Sequence, residues 1–428
     1  MLDKLFKLSE NNTTPRLEVL AGLTTFMTMA YIIFANPAIL AQVVGKEHLV
    51  ALTAATCLAA AVPTLAMGLY TNYPLALASG MGLNAALVAI CAAHKVSWEV
   101  GMGIIFVEGA LITILVVAGL REAVMEAIPM PLKRAIGVGI GLLIALLGLS
   151  NAGFIVAGPP LLQAGRATSP ELLLAALGLV VTCVLLVGRV RGALLIGIVA
   201  TTIVALVAGK AHLPPKYVQV PDLSLFGQLD IAGALQIGLV AAIFAFLITD
   251  FFDTMGTVIA VGGEGGFLEA EGRLPRLRRV LLIDSLAAAW GGLCGSSSTT
   301  TYIESAAGVA VGGRTGLTSV VVAGLFVLSA FFAPLAGIVP PCATAPALIV
   351  VGLLMMAVVR EIDFKVVEDA LPAFIVMIII PLTMSISHGI GYGFIAYTVI
   401  RVLTGRWREV HPLMYAVSVM FAAAFAME

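Results

Sequence analysis

Charge is scarce in this sequence. Of its 428 residues only 11% are Asp, Glu, Lys or Arg, against about 25% in a soluble domain, which excludes a string of ordinary water-soluble domains. Cysteine is equally thin. Cys57, Cys91, Cys183, Cys294 and Cys342 are dispersed without a CxxC pair, leaving neither a disulfide framework nor a thiolate metal site. The five histidines are scattered too. With no catalytic triad and no zinc-ligand spacing, nothing points to an enzyme, a resident metal or an organic cofactor. A net charge of −1 without a basic tail or stripe offers no footprint for nucleic acid. The ten-residue alternation of membrane-barrel strands is missing as well. The glycine run "GGEGG" (262–266) is not followed by Gly-Lys-Ser/Thr, so it reads as a turn rather than a phosphate cradle. The opening "MLDKLFKLSENNTTPR" turns polar before any apolar run, and residues 1–16 are expected to be a cytoplasmic tail rather than a signal peptide.

What the sequence has instead is hydrocarbon. Hydrophobic residues make up 61% of it, the mean hydropathy is +1.09, and apolar runs of roughly 17–25 residues recur from end to end. Each could cross a core about 30 Å thick as a helix. The expectation is an all-α polytopic membrane protein with spans near 17–36, 50–70, 75–93, 98–120, 134–154, 171–188 and 192–209. A second set lies near 233–260, 277–294, 299–312, 315–338, 343–359, 366–386 and 388–403, and an apolar tail, 412–427, is a further span or an interfacial helix. With the N-terminus inside, 18 of the 23 Lys and Arg fall on inner segments, as the positive-inside rule requires.

The polar segment 210–232 divides the spans seven and seven. An odd number per half makes the halves inverted repeats, 17–209 and 233–428, the arrangement of many secondary transporters. The third span of each half is interrupted: "YPLALASGMGLNAALVA" (73–89) by Pro and Gly, "GSSSTTTYIESAAGVAVGG" (295–313) by Ser, Thr and Gly. Overlaying Asn84 on Glu304 relates the halves by 220 residues, and within one residue lays Tyr31 on Asp250. Paired broken helices mark a mid-membrane binding site.

Acids sit in that region. In "FLITDFFDTMGTVIAV" (246–261) Asp250, Asp253, Thr254 and Thr257 share one helix face, with Phe251 and Met255 on other sides. An acid at mid-span costs about 2.5–3.5 kcal/mol on insertion scales, so Asp250, Asp253 and Glu304 must face protein or water. They form either a hydrogen-bonded lock between helices or a ligand and proton site. Asn84 adds an amide that both donates and accepts. Carboxylates, an amide, free backbone groups and aromatic faces such as that of Tyr31 suit a small planar ligand with several N–H donors. Glu108 and Asp284 are either interhelical partners or proton-path residues. Gly137 and Gly141 in "GVGIG", like Gly308, Gly312 and Gly313, fit close helix packing.

The stretches "AGLTTFMTMAYIIFANP", "LASGMGLNAALVA", "DFFDTMGT" and "TTTYIESAAGVAVGGRTGLTS" closely resemble the AzgA-like purine permeases, a branch of the nucleobase permeases related to the uracil and xanthine/urate carriers. The resemblance implies about 14 transmembrane helices as a 7+7 inverted repeat. It also implies a core domain (spans 1–4 and 8–11), a gate domain (spans 5–7 and 12–14), and short β-strands in spans 3 and 10. It implies import of adenine, guanine or hypoxanthine by proton symport in the cell's inner membrane, with the proton gradient as the energy source. Glu304, Asp250, Asp253 and Asn84 match the family's site positions, and Ser79 stands where many relatives carry proline. The reading therefore has Glu304, Asp250, Asp253, Asn84, Thr254 and Tyr31 binding the base. Asp253, Glu304 or Asp250 carries the proton. The expected partners are a purine base, a proton and the lipid bilayer, with pairing of two copies left open. Two alternatives stand beside this reading. A sulfate or bicarbonate carrier of the same architecture would want helix N-termini and basic groups at its site; the other is a channel or a purely structural membrane subunit.

Overall fold

The computed structural model describes residues 2–119, 128–158, 162–166, 168–211, 213–214, 216–236, 239–268 and 274–427. The end of the fourth expected span at residue 120, Arg121 and Arg273 lie outside these residues. The first half comprises α1 (Leu2–Phe6), α2 (Pro15–Met29), α3 (Ile32–Val44), α4 (Leu49–Thr71), β1 (Leu77–Ser79), α5 (Met81–His94) and α6 (Trp98–Val117). It continues with α7 (Met130–Asn151), the hairpin strands β2 (Ile155–Ala157) and β3 (Leu162–Ala164), α8 (Pro170–Val187) and α9 (Ala193–Val207). The second half comprises α10 (Ile231–Ala234), α11 (Val240–Glu264), α12 (Leu277–Cys294), β4 (Thr299–Thr301), α13 (Ser305–Val311) and α14 (Gly316–Ala330). It ends with α15 (Pro341–Met356), α16 (Val367–Thr383), α17 (Ile386–Leu403) and α18 (Pro412–Met427).

Among the described residues, six helical stretches are long and apolar enough to cross a membrane by length and composition: Pro15–Val44, Lys46–Thr71, Trp98–Val117, Met130–Asn151, Pro170–Val187 and Pro341–Glu361. The remaining segments read from the sequence are largely helical too, several of them shorter. α5 and α13 are short because a strand takes the first part of each segment. The first expected span, 17–36, is in fact a longer stretch broken at Ala30–Tyr31. Helix boundaries follow local chemistry. Thr14 and Ser169 cap α2 and α8 through their side chains, each with proline at the first helical position. Asn72, in the left-handed conformation at φ 55°, ends α4.

β1 and β4 pair antiparallel, with Leu77 opposite Thr301 and Ser79 opposite Thr299. Each strand supplies the hydrogen bonds that the other's broken helix leaves open. Around this pair pack α2–α6 and α11–α14, while α7–α9 and α15–α18 form a second group. The groups meet where α5 and α11 touch α7, where α11 touches α17, and where α2 and α3 touch α9 and α15 respectively. Close approaches depend on missing side chains. A Cβ on Gly68 would stand 2.5 Å from the Gly316 carbonyl, one on Gly308 2.7 Å from that of Ala21, and one on Gly141 2.8 Å from that of Gly352. Gly137, by contrast, faces open space. Glu18, fully buried on α2, accepts from the Arg314 amide at 2.9 Å and the Thr318 hydroxyl at 2.5 Å. It thereby fastens α2 to the start of α14.

The strands also correct the repeat overlay. Leu77 to Thr299 is 222 residues and Met81 to Ser305 is 224, not the 220 that set Asn84 on Glu304. One residue, Gly80, links β1 to α5, whereas Tyr302, Ile303 and Glu304 link β4 to α13. Glu304 thus occupies a longer turn, and its structural counterpart is Gly80. Asn84 lies one turn further into its helix.

Candidate site between the paired strands and the long acidic helix

Glu304 precedes α13 in helical backbone, half-buried, with no capping bond from its side chain. The buried Tyr31, at the break between α2 and α3, donates its hydroxyl to Glu304 Oε1 at 3.0 Å. On α11 the polar face splits, because Asp253 and Thr254 are adjacent residues about 100° apart around the helix. Asp253 is exposed on the protein and lies within electrostatic range of Glu304, Tyr31 and Tyr302. Asp250, one turn earlier, is fully buried.

Thr254 faces the strands. Its hydroxyl donates to Asp284 Oδ2 at 2.5 Å and shares a 2.9 Å bond with the Thr300 hydroxyl. Asp284 also accepts from the Thr301 amide at 3.0 Å and the Thr300 hydroxyl at 3.3 Å. Asp284 is thus an interhelical partner, tying α11, α12 and β4 together, and Thr254's hydroxyl is engaged in that tie.

Asn84 is fully buried, and neither its amide nitrogen nor its oxygen has a hydrogen-bond partner among the described residues. The same is true of the Ser297, Ser298 and Thr301 hydroxyls. Folded chains leave few such groups unpaired, and a polar guest or water would satisfy them. Glu108 is buried in α6.

Two residues that sequence reasoning passed over hold the frame. The Tyr302 hydroxyl donates to the Ser79 carbonyl at 2.6 Å, crossing from β4's turn to β1. Asn36 Nδ2 donates to Thr56 Oγ1 at 2.8 Å and Ser296 Oγ at 3.0 Å, and Ser79 Oγ donates to the Ser296 carbonyl at 2.7 Å. Tyr302 stood in plain view inside "STTTYIES", and Asn36 before Pro37. Their roles are tertiary, and no spacing announces them. Ser79, the departure from proline, gains a hydrogen bond that proline could not make.

Against known proteins, the model of a permease family matches residues 16–392. The chain belongs to this family. It is 42% identical over 424 residues to the adenine permease AdeQ of Escherichia coli, covering 98% of this chain and 95% of the relative. It is also 42% identical over 433 residues to the guanine/hypoxanthine permease PbuO of Bacillus subtilis, covering 97% and 98%. These relatives are named as permeases, not as enzymes. Among solved structures, the transmembrane domain of the cyanobacterial bicarbonate transporter BicA superposes with a TM-score of 0.64 at 15% identity, covering 86% of this chain and 97% of that one. That likeness is one of fold. The permease family and its run of apolar helices make this a multi-pass membrane protein.

Proposed function

We propose that this permease imports purine nucleobases by proton symport. Near full-length similarity to adenine and guanine/hypoxanthine permeases gives the substrate class. The observation that carries the reading is the β1–β4 pairing. It puts the Glu304 turn and the helix of Asn84 at the two ends of one antiparallel strand pair, with α11, which carries the exposed Asp253, packed against both α13 and α5. A carboxylate accepts two parallel N–H bonds from a purine edge, and charge-assisted bonds are roughly twice as strong as neutral ones. In this reading Glu304 anchors the base, Asp253 takes the second contact, and Asn84's amide satisfies a donor and an acceptor of the ring. Tyr31 orients Glu304, while Asp250 and Thr254 stand behind the contact surface. Like charges this close disfavour joint ionisation, so a proton enters with the base on Asp253, Glu304 or Asp250.

The chain would cross the inner membrane 14 times as two inverted halves, 17–209 and 233–428, with residues 1–16 cytoplasmic and 210–232 joining the halves. The group around the strands (spans 1–4 and 8–11) would be the moving core, and the other group (spans 5–7 and 12–14) the gate. The fold shared with a bicarbonate transporter does not favour an anion substrate, because the site's charged groups are acids.

Uptake of labelled hypoxanthine in a purine-uptake-null host, with unlabelled bases and sulfate as competitors at two pH values, tests the reading. Purines should compete, sulfate should not, and an uncoupler should abolish accumulation. Unsaturable uptake insensitive to the uncoupler would instead mean a channel.

A further inference from the structure

We propose that the membrane face bearing α1 and the start of α12 binds the headgroups of anionic phospholipid. Lys4, Arg276 and Arg279 would meet the phosphate, and Leu2 and Leu5 would enter the acyl region.

Three tethers make this one surface. Phe6 and Leu8 are buried against Leu317 on α14. Asn72, at the end of α4, donates from Nδ2 to the Phe6 carbonyl at 2.9 Å. The neighbouring Tyr73 hydroxyl donates to the Pro275 carbonyl at 2.8 Å. Residues 2–8, the end of α4 and the start of α12 are therefore a single contiguous patch, although far apart in sequence.

Its chemistry is that of a bilayer boundary. Leu2 and Leu5 are 47% and 57% exposed while the rest of the segment's apolar side chains are tucked in, an arrangement that leaves hydrocarbon outward at a membrane edge. Tyr70 is half exposed, with the Arg279 guanidinium 5.4 Å from its ring centre, and Arg276 lies 4.6 Å from that of Tyr73. Outward tyrosine beside arginine is the composition of the headgroup level. The segment's own acids are occupied: Asp3 accepts from the Ser9 amide and hydroxyl, and Glu10 pairs with Lys7 at 2.9 Å. Among the described residues, Lys4, Arg276 and Arg279 enter no ion pair. The patch thus presents three cations outside any ion pair against the single ionised carboxylate of Asp3 on residues 2–8, each cation worth roughly five-fold in affinity for an anionic surface.

The test uses the full chain in nanodiscs of phosphatidylcholine. It measures binding of a fluorescent phosphatidylglycerol and, in parallel, of a fluorescent phosphatidylcholine. The triple variant K4Q/R276Q/R279Q should weaken phosphatidylglycerol binding at least ten-fold and leave phosphatidylcholine unchanged. The control R360Q/K365Q, which removes two exposed cations from the other helix group, should alter neither. Should the triple variant fail to fold, single R279Q and a salt titration of the wild type serve instead, with phosphatidylglycerol binding expected to fall steeply with added NaCl. Wild-type affinity in the triple variant, equal loss in the control, or insensitivity of R279Q and of the wild type to salt would overturn the proposal. Displacement by millimolar inorganic phosphate would also overturn it, by showing a free-anion site rather than a lipid one.

Discussion

The Tyr31 hydroxyl reaches Glu304 Oε1 across 3.0 Å, so a side chain at the break of one half's first helix holds the acid in the other half's longest strand-to-helix turn. With one oxygen committed to tyrosine, the proposed reading leaves the second for the base. Hydrogen bonds to charged groups contribute about 1.5–3 kcal/mol. Tyr31→Phe should therefore raise KM for purine uptake by roughly ten-fold or more with a smaller change in maximal rate, because the ring that fills the helix break remains. Concentration-dependent uptake of labelled adenine or hypoxanthine measures it. An unchanged KM would detach Tyr31 from the site.

Glu304→Gln keeps the shape of the side chain but exchanges an acceptor pair for one acceptor and one donor. Uptake against a gradient should vanish. Asp253→Asn should instead leave exchange of labelled for unlabelled base measurable while removing the dependence of uptake on pH, if the proton travels on that residue. Accumulation at the wild-type level by a normally expressed Glu304→Gln protein would reject the assignment of the anchor.

Asn84 provides a separation of stability from transport. An amide buried without partners carries a desolvation cost of about 1–3 kcal/mol. Asn84→Leu should therefore unfold at the same temperature as the wild type or a higher one, while uptake is lost. Thermal unfolding in detergent and uptake in cells together decide it. A marked fall in unfolding temperature would mean that the amide has a structural partner.

How much of this was readable beforehand follows from the range of each interaction. Hydropathy and helix signals act over a single turn or span, so the segments around α12 and α17, the interruption at "SGMG" and the acids of α11 were legible. The break at Ala30–Tyr31 was not, because "AYIIFANP" is as apolar as an unbroken span. The overlay of Asn84 on Glu304 failed for a related reason. Local identity cannot see that the second half inserts two extra residues between strand and helix, and only the strand register reveals it. Asp284 looked like any buried acid. That it binds Thr254, Thr300 and Thr301 depends on three elements meeting.

That convergence has its own consequence. Thr254→Val removes the hydroxyl joining Asp284 to Thr300 while conserving volume, leaving Asp284 two donors short of its present set only if Thr300 also moves. A loss of about 1.5–3 kcal/mol, the range for a hydrogen bond to a charged group, is expected in thermal unfolding. KM for purines should change little, since the hydroxyl is turned toward the strands. A large KM effect with no loss of stability would place Thr254 in contact with substrate.

At the far end of the second helix group, Arg401 is almost wholly buried and binds Asp369 at 2.6 Å and both Glu368 and Glu409 at 3.0 Å. It joins α16, α17 and the turn before α18. Its partners are partly exposed, so Arg401→Gln should cost more than the up to about 1 kcal/mol of a surface pair and less than the about 3–5 kcal/mol of breaking a buried one. Glu409 lies outside the spans, and the hydrogen bond from Arg406 holds its carboxyl below the ordinary value of 4.5. A depressed carboxylate contributes stability that is complete above its unfolded value and lost as pH falls through the folded one. The wild type should therefore lose unfolding temperature below about pH 4.5. Glu409→Gln should start lower at pH 7 and lose less on acidification, and parallel pH profiles for the two proteins would remove Glu409 from the network's energetics.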